Sequence, residues 1–197
     1  MTTATDICNL ALIHVGGLKI ASLEENNESA RNCRIIYPIA RDQTLRDHPW
    51  GFAEKRRKLS LVADLEIAGY DYGYQYPQDC IHAREIFRGV RSTPPLEFRV
   101  LRPHDHVTRI IATNVPDAVL IYTARITDED QFNSQFITAL SWRIAVDLAM
   151  PLTKKTAIQD LAEQTYIKLI AQAATSENLE SEDPAPDQFR TFLKARL

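Results

Sequence analysis

Only six glycines occur in the 197 residues. None stands in a G-x-G-x-x-G or G-x-x-x-x-G-K-[ST] arrangement, so there is little material for a phosphate-cradling loop. The G-x-S-x-G and H-E-x-x-H patterns are missing too. Three cysteines, Cys8, Cys33 and Cys80, are odd in number and widely scattered, with no C-x-x-C pair. That excludes a disulfide framework and points to reduced, buried thiols in a cytosolic setting. No apolar run approaches the roughly 20 residues that span a bilayer, and Asp6, His14 and Lys19 interrupt the start where a secretory signal would be apolar. No excess of one charge exists either: 23 basic side chains face 26 acidic ones, a net charge of −3, which gives no global attraction to a polyanion.

What is present is the composition of an ordinary globular domain, 45% hydrophobic and 25% charged. At this length folding removes roughly 70% of the extended chain's surface from water. Ile7, Leu10, Ala11 and His14 follow helical spacing, Thr3 or Thr5 can cap the start, and Gly16-Gly17 stops the run, so a first helix is expected over about 4–15. Ala30, Cys33, Tyr37, Ala40 and Thr44 recur at three and four and predict a second helix over about 28–48, kinked at Pro38 and closed by Pro49.

From about 52 to 126 the period changes. Short apolar or aromatic runs alternate with Gly69, Gly73, Pro77, Gly89, Pro94-Pro95 and Pro103, which predicts a β-rich insertion. Its expected strands are Lys55 to Val62, Cys80 to Phe87, Leu96 to Leu101, Arg109 to Thr113 and Val119 to Arg125, the last two joined as a hairpin through Asn114 to Asp117. Helical period returns after the capping pair Thr127-Asp128, and a helix over about 129–150, ended by Pro151, is expected to be the central post of the bundle. Phe136, Leu140 and Ile144 lie along one line of it and Trp142 along a second; all four, with Trp50 as a plug between bundle and insertion, are the expected core. A fourth helix over about 153–174 pairs antiparallel with the third. The expected fold is therefore α+β: a bundle of about four helices with a β-rich insertion (1–174) and an extended C-terminal arm (175–197).

The arm is acidic at first, with Glu180, Glu182 and Asp183, and Pro184 and Pro186 oppose regular structure there. After Asp187, Phe189, Phe192, Leu193 and Leu197 fall at helical spacing beside Arg190, Lys194 and Arg196. A helix this short is marginal alone, so it is expected to fold on a partner or a neighbouring subunit.

Chemistry is harder to find. His104-Asp105-His106 has no third ligand at a diagnostic spacing, so no metal and no cofactor is expected. Asp128 and Asp130 read better as helix-capping carboxylates than as a general acid and base, and no enzymatic activity is expected. Tyr70, Tyr72, Tyr74 and Tyr76 alternate strictly, which on a strand puts all four on one face, either for a second subunit or for stacking bases. Lys55-Arg56-Arg57-Lys58 and arginines 84, 88, 91, 99, 102 and 109 read as solvated strand faces or subunit salt bridges, with phosphate contact as the alternative.

Several segments together resemble a known family. Ala4-Thr5-Asp6-Ile7-Cys8-Asn9-Leu10-Ala11-Leu12, then Ser29-Ala30 and Cys33, then Leu45-Arg46-Asp47-His48-Pro49-Trp50-Gly51-Phe52-Ala53, Tyr76-Pro77-Gln78-Asp79-Cys80 and Leu148-Ala149-Met150-Pro151-Leu152-Thr153 resemble the tail tubular protein A-like head-to-tail adaptors of tailed, mainly short-tailed, bacteriophages. The likeness covers roughly residues 4–174, and Phe192-Leu193-Lys194-Ala195-Arg196 is similar to the family's Trp-Leu-x-Ala-Arg ending, with Phe for Trp. The resemblance implies a structural virion protein. Twelve subunits would form a ring beneath the portal protein, carry the tail nozzle or next tail ring, and let double-stranded DNA pass without tight binding. It implies assembly in the host cytoplasm, a place at the head-tail junction, no membrane, and an arm that grips a portal or neighbouring subunit through Phe189, Arg190, Phe192, Leu193, Lys194 and Arg196. The alternative from the residues alone is a nucleic-acid-binding packaging or accessory protein that uses the arginine-rich insertion.

Overall fold

A computed structural model describes residues 2–63, 65, 67–88, 94–104 and 108–180. The first helix, α1 (Ala4–Val15), starts where Thr3 accepts a hydrogen bond from the Asp6 amide while the Asp6 carboxylate takes the Thr3 amide, a reciprocal capping box. It stops where Gly16 turns left-handed at φ 73°. There the Gly17 amide reaches back to the Leu12 carbonyl at 2.8 Å and the Gly16 amide to Ile13 at 3.1 Å, satisfying carbonyls that the helix end would otherwise orphan. The second helix, α2 (Glu28–Asp47), is capped by Asn27 on the Ala30 amide and ends at His48, held extended by the following Pro49.

Among the described residues six strands follow: β1 (Glu54–Lys58), β2 (Tyr72–Gln75), β3 (Cys80–Phe87), β4 (Phe98–Leu101), β5 (Ile110–Thr113) and β6 (Val119–Ala124). They form two antiparallel three-stranded sheets, ordered β1-β6-β3 and β2-β5-β4. The expected hairpin between the last two strands is absent: β5 and β6 are the central strands of different sheets. A strand has two edges, and β6 spends both on β1 and β3 while β5 spends both on β2 and β4. All four residues of β5 are buried, as are five of the six in β6. The first expected strand, to Val62, stops at Lys58. Its remainder crosses to the other sheet, where the Val62 amide bonds to the Gly73 carbonyl and the Gln75 amide to Ser60.

The third helix begins later than expected. Asp128 caps a single 3₁₀ turn, Glu129–Gln131, and Asn133 then caps α3 (Ser134–Thr153) through the Phe136 amide at 2.8 Å. Nor does Pro151 end it. Pro151 sits in the last turn, and the helix terminates at Lys154, which adopts left-handed φ 56° and bonds its amide to the Met150 carbonyl. The fourth helix, α4 (Thr156–Glu180), runs six residues past the expected 174. Ser134 and Thr138 of α3 lie against Leu169 and Ala173 of α4, so the pair is antiparallel.

By length and composition α3 is the one helix among the described residues apolar enough to cross a membrane. Its hydropathy has a simpler origin in its packing against α1, α2 and α4, which leaves Phe136, Leu140, Ile144 and Leu148 without solvent contact. Trp50 joins bundle to insertion as expected. Its indole is buried, meets Phe136 edge-on at 5.2 Å and donates from Nε1 to the Thr44 carbonyl at 2.8 Å. Trp142 departs from the core expectation. It is only partly buried and lies flat on the His14 ring, centroids 3.8 Å apart.

Candidate functional site

The tyrosine row is not an exposed docking face. Tyr72 and Tyr74 do share one side of β2, their rings 6.2 Å apart. Tyr74, however, is buried and donates its hydroxyl to the Val115 carbonyl at 2.9 Å. Tyr76 lies beyond the strand with the Arg109 guanidinium 4.4 Å from its ring centre, and burial pushes its phenol pKa up. Tyr70 is partly buried in the turn that pairs it with Ile67. Alternation holds for Tyr72 and Tyr74 alone, since Tyr70 and Tyr76 lie outside β2, and it could not say that Tyr74 is covered, because its partner Val115 comes from a distant segment.

The basic run falls on β1, the free edge of its sheet, with Lys55, Arg56, Arg57 and Lys58 all exposed. Three of these cations face carboxylates: Lys55 to Asp79 at 2.9 Å, Arg56 to Glu54 at 3.0 Å and Lys58 to Asp117 at 2.8 Å. Glu54 also takes Arg84, whose Nε reaches Thr123 Oγ1 at 2.9 Å. A charged, exposed edge strand resists pairing with a stray strand from another chain. Arg99 is exposed on β4 of the other sheet, and Arg102 and Arg109 are exposed just outside β4 and β5. Between the two sheets Arg57, Ser60, Gln75, Gln78 and Asp79 line a polar groove of about 420 Å³.

Behind that groove Asp79 accepts from the Tyr122 hydroxyl at 3.1 Å as well as from Lys55. Burial works against the Asp79 charge, but these two donors outweigh it and hold the carboxyl below its usual range. Burial and the same carboxylate push the Tyr122 phenol up to about 12. The three side chains are joined by direct hydrogen bonds, Lys55 and Tyr122 both donating to the Asp79 carboxylate. No residue spacing announced this arrangement, since Asp79 and Tyr122 are joined only by the pairing of β3 with β6.

Cys8 and Cys33 are buried together between α1 and α2, and a mutual hydrogen bond and burial raise the Cys8 thiol. Burial likewise raises Cys80. Among the described residues no group of three or more His, Cys, Asp or Glu side chains could hold a metal ion. His104 is exposed, while Asp105 and His106 lie outside the described residues, as do Arg91 and the arm residues Phe189, Arg190, Phe192, Leu193, Lys194 and Arg196.

The prominent surface feature is apolar, and sequence reading missed it. Leu10 and Ile13 on α1 are 39% and 51% exposed, and Leu18 just beyond is 85% exposed. Leu10 and Ile13 face Ile137 of α3 across a groove of about 390 Å³ whose rim carries Asp6 and Lys19. A separate patch on the outer side of α2 comprises Ile35 and Ile39, one turn apart and both more than half exposed, with Pro38 exposed between them. Both lay within helices whose apolar positions exceed one face. That excess was the available signal.

Comparison with protein families and with curated proteins returns no match for this chain.

Proposed function

We propose that this chain is a structural subunit of a head-to-tail adaptor ring, seated under a phage portal and joining it to the tail nozzle or next tail ring. The observation that carries the reading is the pair of separate apolar patches, Leu10–Ile13 beside α3 and Ile35–Ile39 on α2. A subunit in a closed ring meets its neighbours through two different surfaces, one on each flank, whereas a two-fold dimer uses one surface twice. The residue-level resemblance to tail tubular protein A-like adaptors supplies the identity of the ring. Twelve such subunits at −3 each would leave DNA passing through without many phosphate contacts. The carboxylates facing Lys55, Arg56 and Lys58 support that reading over a nucleic-acid-binding accessory protein, because a paired cation has less to offer a phosphate.

Electron microscopy of the purified protein, alone and mixed with the portal encoded beside its gene, tests the proposal. A twelve-subunit ring bound to the portal is the expected result; particles that never associate with it would sink the reading. Truncation after Glu180 should leave the fold intact and weaken attachment, since twelve weak grips in one ring act together. Salt-dependent DNA binding separates the second reading: an adaptor binds little DNA at physiological salt, while a binder loses affinity steeply as salt rises.

A further inference from the structure

We propose that the polar groove between the two sheets is a binding site for a phosphate group, free or carried on a small molecule such as a nucleotide, with Arg57 as its principal cation. At about 420 Å³ the groove is within the size range of small-molecule sites. One wall is the end of β1 and the residues after it, Arg57 to Ser60; the other is Gln75 to Asp79. The walls are tied together where the Gln75 amide donates to the Ser60 carbonyl at 2.9 Å. Leu59 and Pro77 are buried, so the surface offered to a ligand comes mainly from polar side chains, among them Arg57, Ser60, Gln75 and Gln78, all exposed. Arg57 stands at the free edge of its sheet, where a ligand reaches it from solvent.

Charge decides what such a surface binds. Lys58 is paired with Asp117 at 2.8 Å, and the Asp79 carboxylate takes Lys55 at 2.9 Å and the Tyr122 hydroxyl at 3.1 Å. Arg57 meets only that same hydroxyl, a neutral group, and no carboxylate pairs with it among the described residues. Lys55, Arg57 and Lys58 thus stand against Asp79 and Asp117, which leaves the Arg57 charge in excess. A second cation lies behind the far wall: Arg109 is exposed, sits 4.4 Å from the centre of the Tyr76 ring and likewise has no carboxylate partner among the described residues. An uncompensated guanidinium beside hydroxyl and amide donors favours an anion over a metal cation or an apolar ligand. Phosphate suits the groove better than a carboxylate does. Its oxygens point in several directions and can accept from both walls at once, whereas the two oxygens of a carboxylate lie in one plane and are satisfied by the Arg57 fork alone.

The test titrates the full chain with sodium phosphate, adenosine monophosphate and succinate at about pH 7.5 and fixed low ionic strength, followed by amide proton–nitrogen NMR spectra. Phosphate should shift amides in 57–60 and 75–79 with a dissociation constant on the order of 1 mM. Arg57→Gln should weaken binding at least about tenfold, the loss expected for charge-assisted hydrogen bonds. Gln78→Glu, at an exposed position, sets a like charge in the groove and should abolish binding, while Arg99→Gln on β4 should leave it unchanged. Tighter binding of adenosine monophosphate than of phosphate identifies a phosphomonoester ligand, and equal affinity shows that phosphate alone suffices. Shifts confined to residues outside the groove, succinate binding as tight as phosphate, or affinity that survives both Arg57→Gln and Gln78→Glu would each overturn the proposal. A DNA duplex that binds through Arg57 where phosphate and adenosine monophosphate do not would overturn it too, by making the groove a nucleic-acid contact. None of these readouts involves a portal, so the result is independent of the ring reading.

Discussion

Replacing Trp50 removes two things at once, and the structure lets them be separated. The indole fills the junction between α2, α3 and the insertion with 1% of its surface exposed, touching Phe136, Phe52 and His48. Its N–H also donates to the Thr44 carbonyl in the last turn of α2, a buried hydrogen bond of 2.8 Å. Trp50→Phe keeps most of the volume and removes that buried hydrogen bond, a cost of about 0.5–1.5 kcal/mol. Trp50→Ala adds a cavity, and buried aromatic-to-alanine changes cost about 3–5 kcal/mol before the lost hydrogen bond is counted. For a chain of this size each kcal/mol lowers Tm by roughly 2–4 °C, so the alanine variant should melt at least about 6–20 °C lower. Trp142→Ala is the comparison: it loses partial burial together with a stack on His14 worth about 1 kcal/mol beyond its area, and should cost less than Trp50→Ala. Urea unfolding followed by far-UV circular dichroism, with the denaturant slope unchanged, gives all three numbers. A Trp50→Ala cost below about 2 kcal/mol, or a Trp142→Ala cost equal to it, would refute the assignment of Trp50 as the junction plug.

Burial depresses the His14 and His82 pKa values, with Arg46 and Arg84 adding to the effect at His82. The unfolded chain therefore binds protons first, near the ordinary imidazole value of 6.5. Stability should accordingly fall as pH drops below that value and level off below the folded pKa values. Urea midpoints at about pH 7.5 and about pH 5.5 should show the loss, and His14→Gln and His82→Gln should each reduce it. Asp79→Ala leaves the buried Tyr122 hydroxyl without its carboxylate acceptor and should cost about 1–3 kcal/mol, with the Tyr122 phenol titrating closer to its normal range by ultraviolet absorbance. Lys154→Gly relieves a left-handed conformation at the end of α3 and should raise stability by up to about 1 kcal/mol, seen as a higher urea midpoint; a fall would mean that the Lys154 side chain contributes more than its backbone strain costs.

The sequence by itself determined what depends on neighbours three or four residues away. The starts of α1 and α2 follow from Thr3 and Asn27 acting within one turn, the end of α1 from Gly16, and the end of α2 from Pro49. Strand β3 appears over the predicted Cys80 to Phe87, and the α+β class holds. Local rules failed where a second partner intervened. Asp128 was free to cap a 3₁₀ turn because Asn133 stood ready to cap the helix itself, and Pro151 was tolerated because the last turn of a helix continues past one missing amide.

Only the tertiary structure decided which edges pair and which faces are covered. The turn at Asn114 to Asp117 looks like a hairpin until both of its strands are seen to be fully partnered elsewhere. Tyr74 and Trp142 both depart from their expected places, the one buried and the other only partly buried, because periodicity says which residues share a face but not what lies opposite. The same reason hid the α1–α3 groove: an apolar residue contributes to a core or to a docking seat with the same side chain, and the difference lies in whether another segment arrives to cover it.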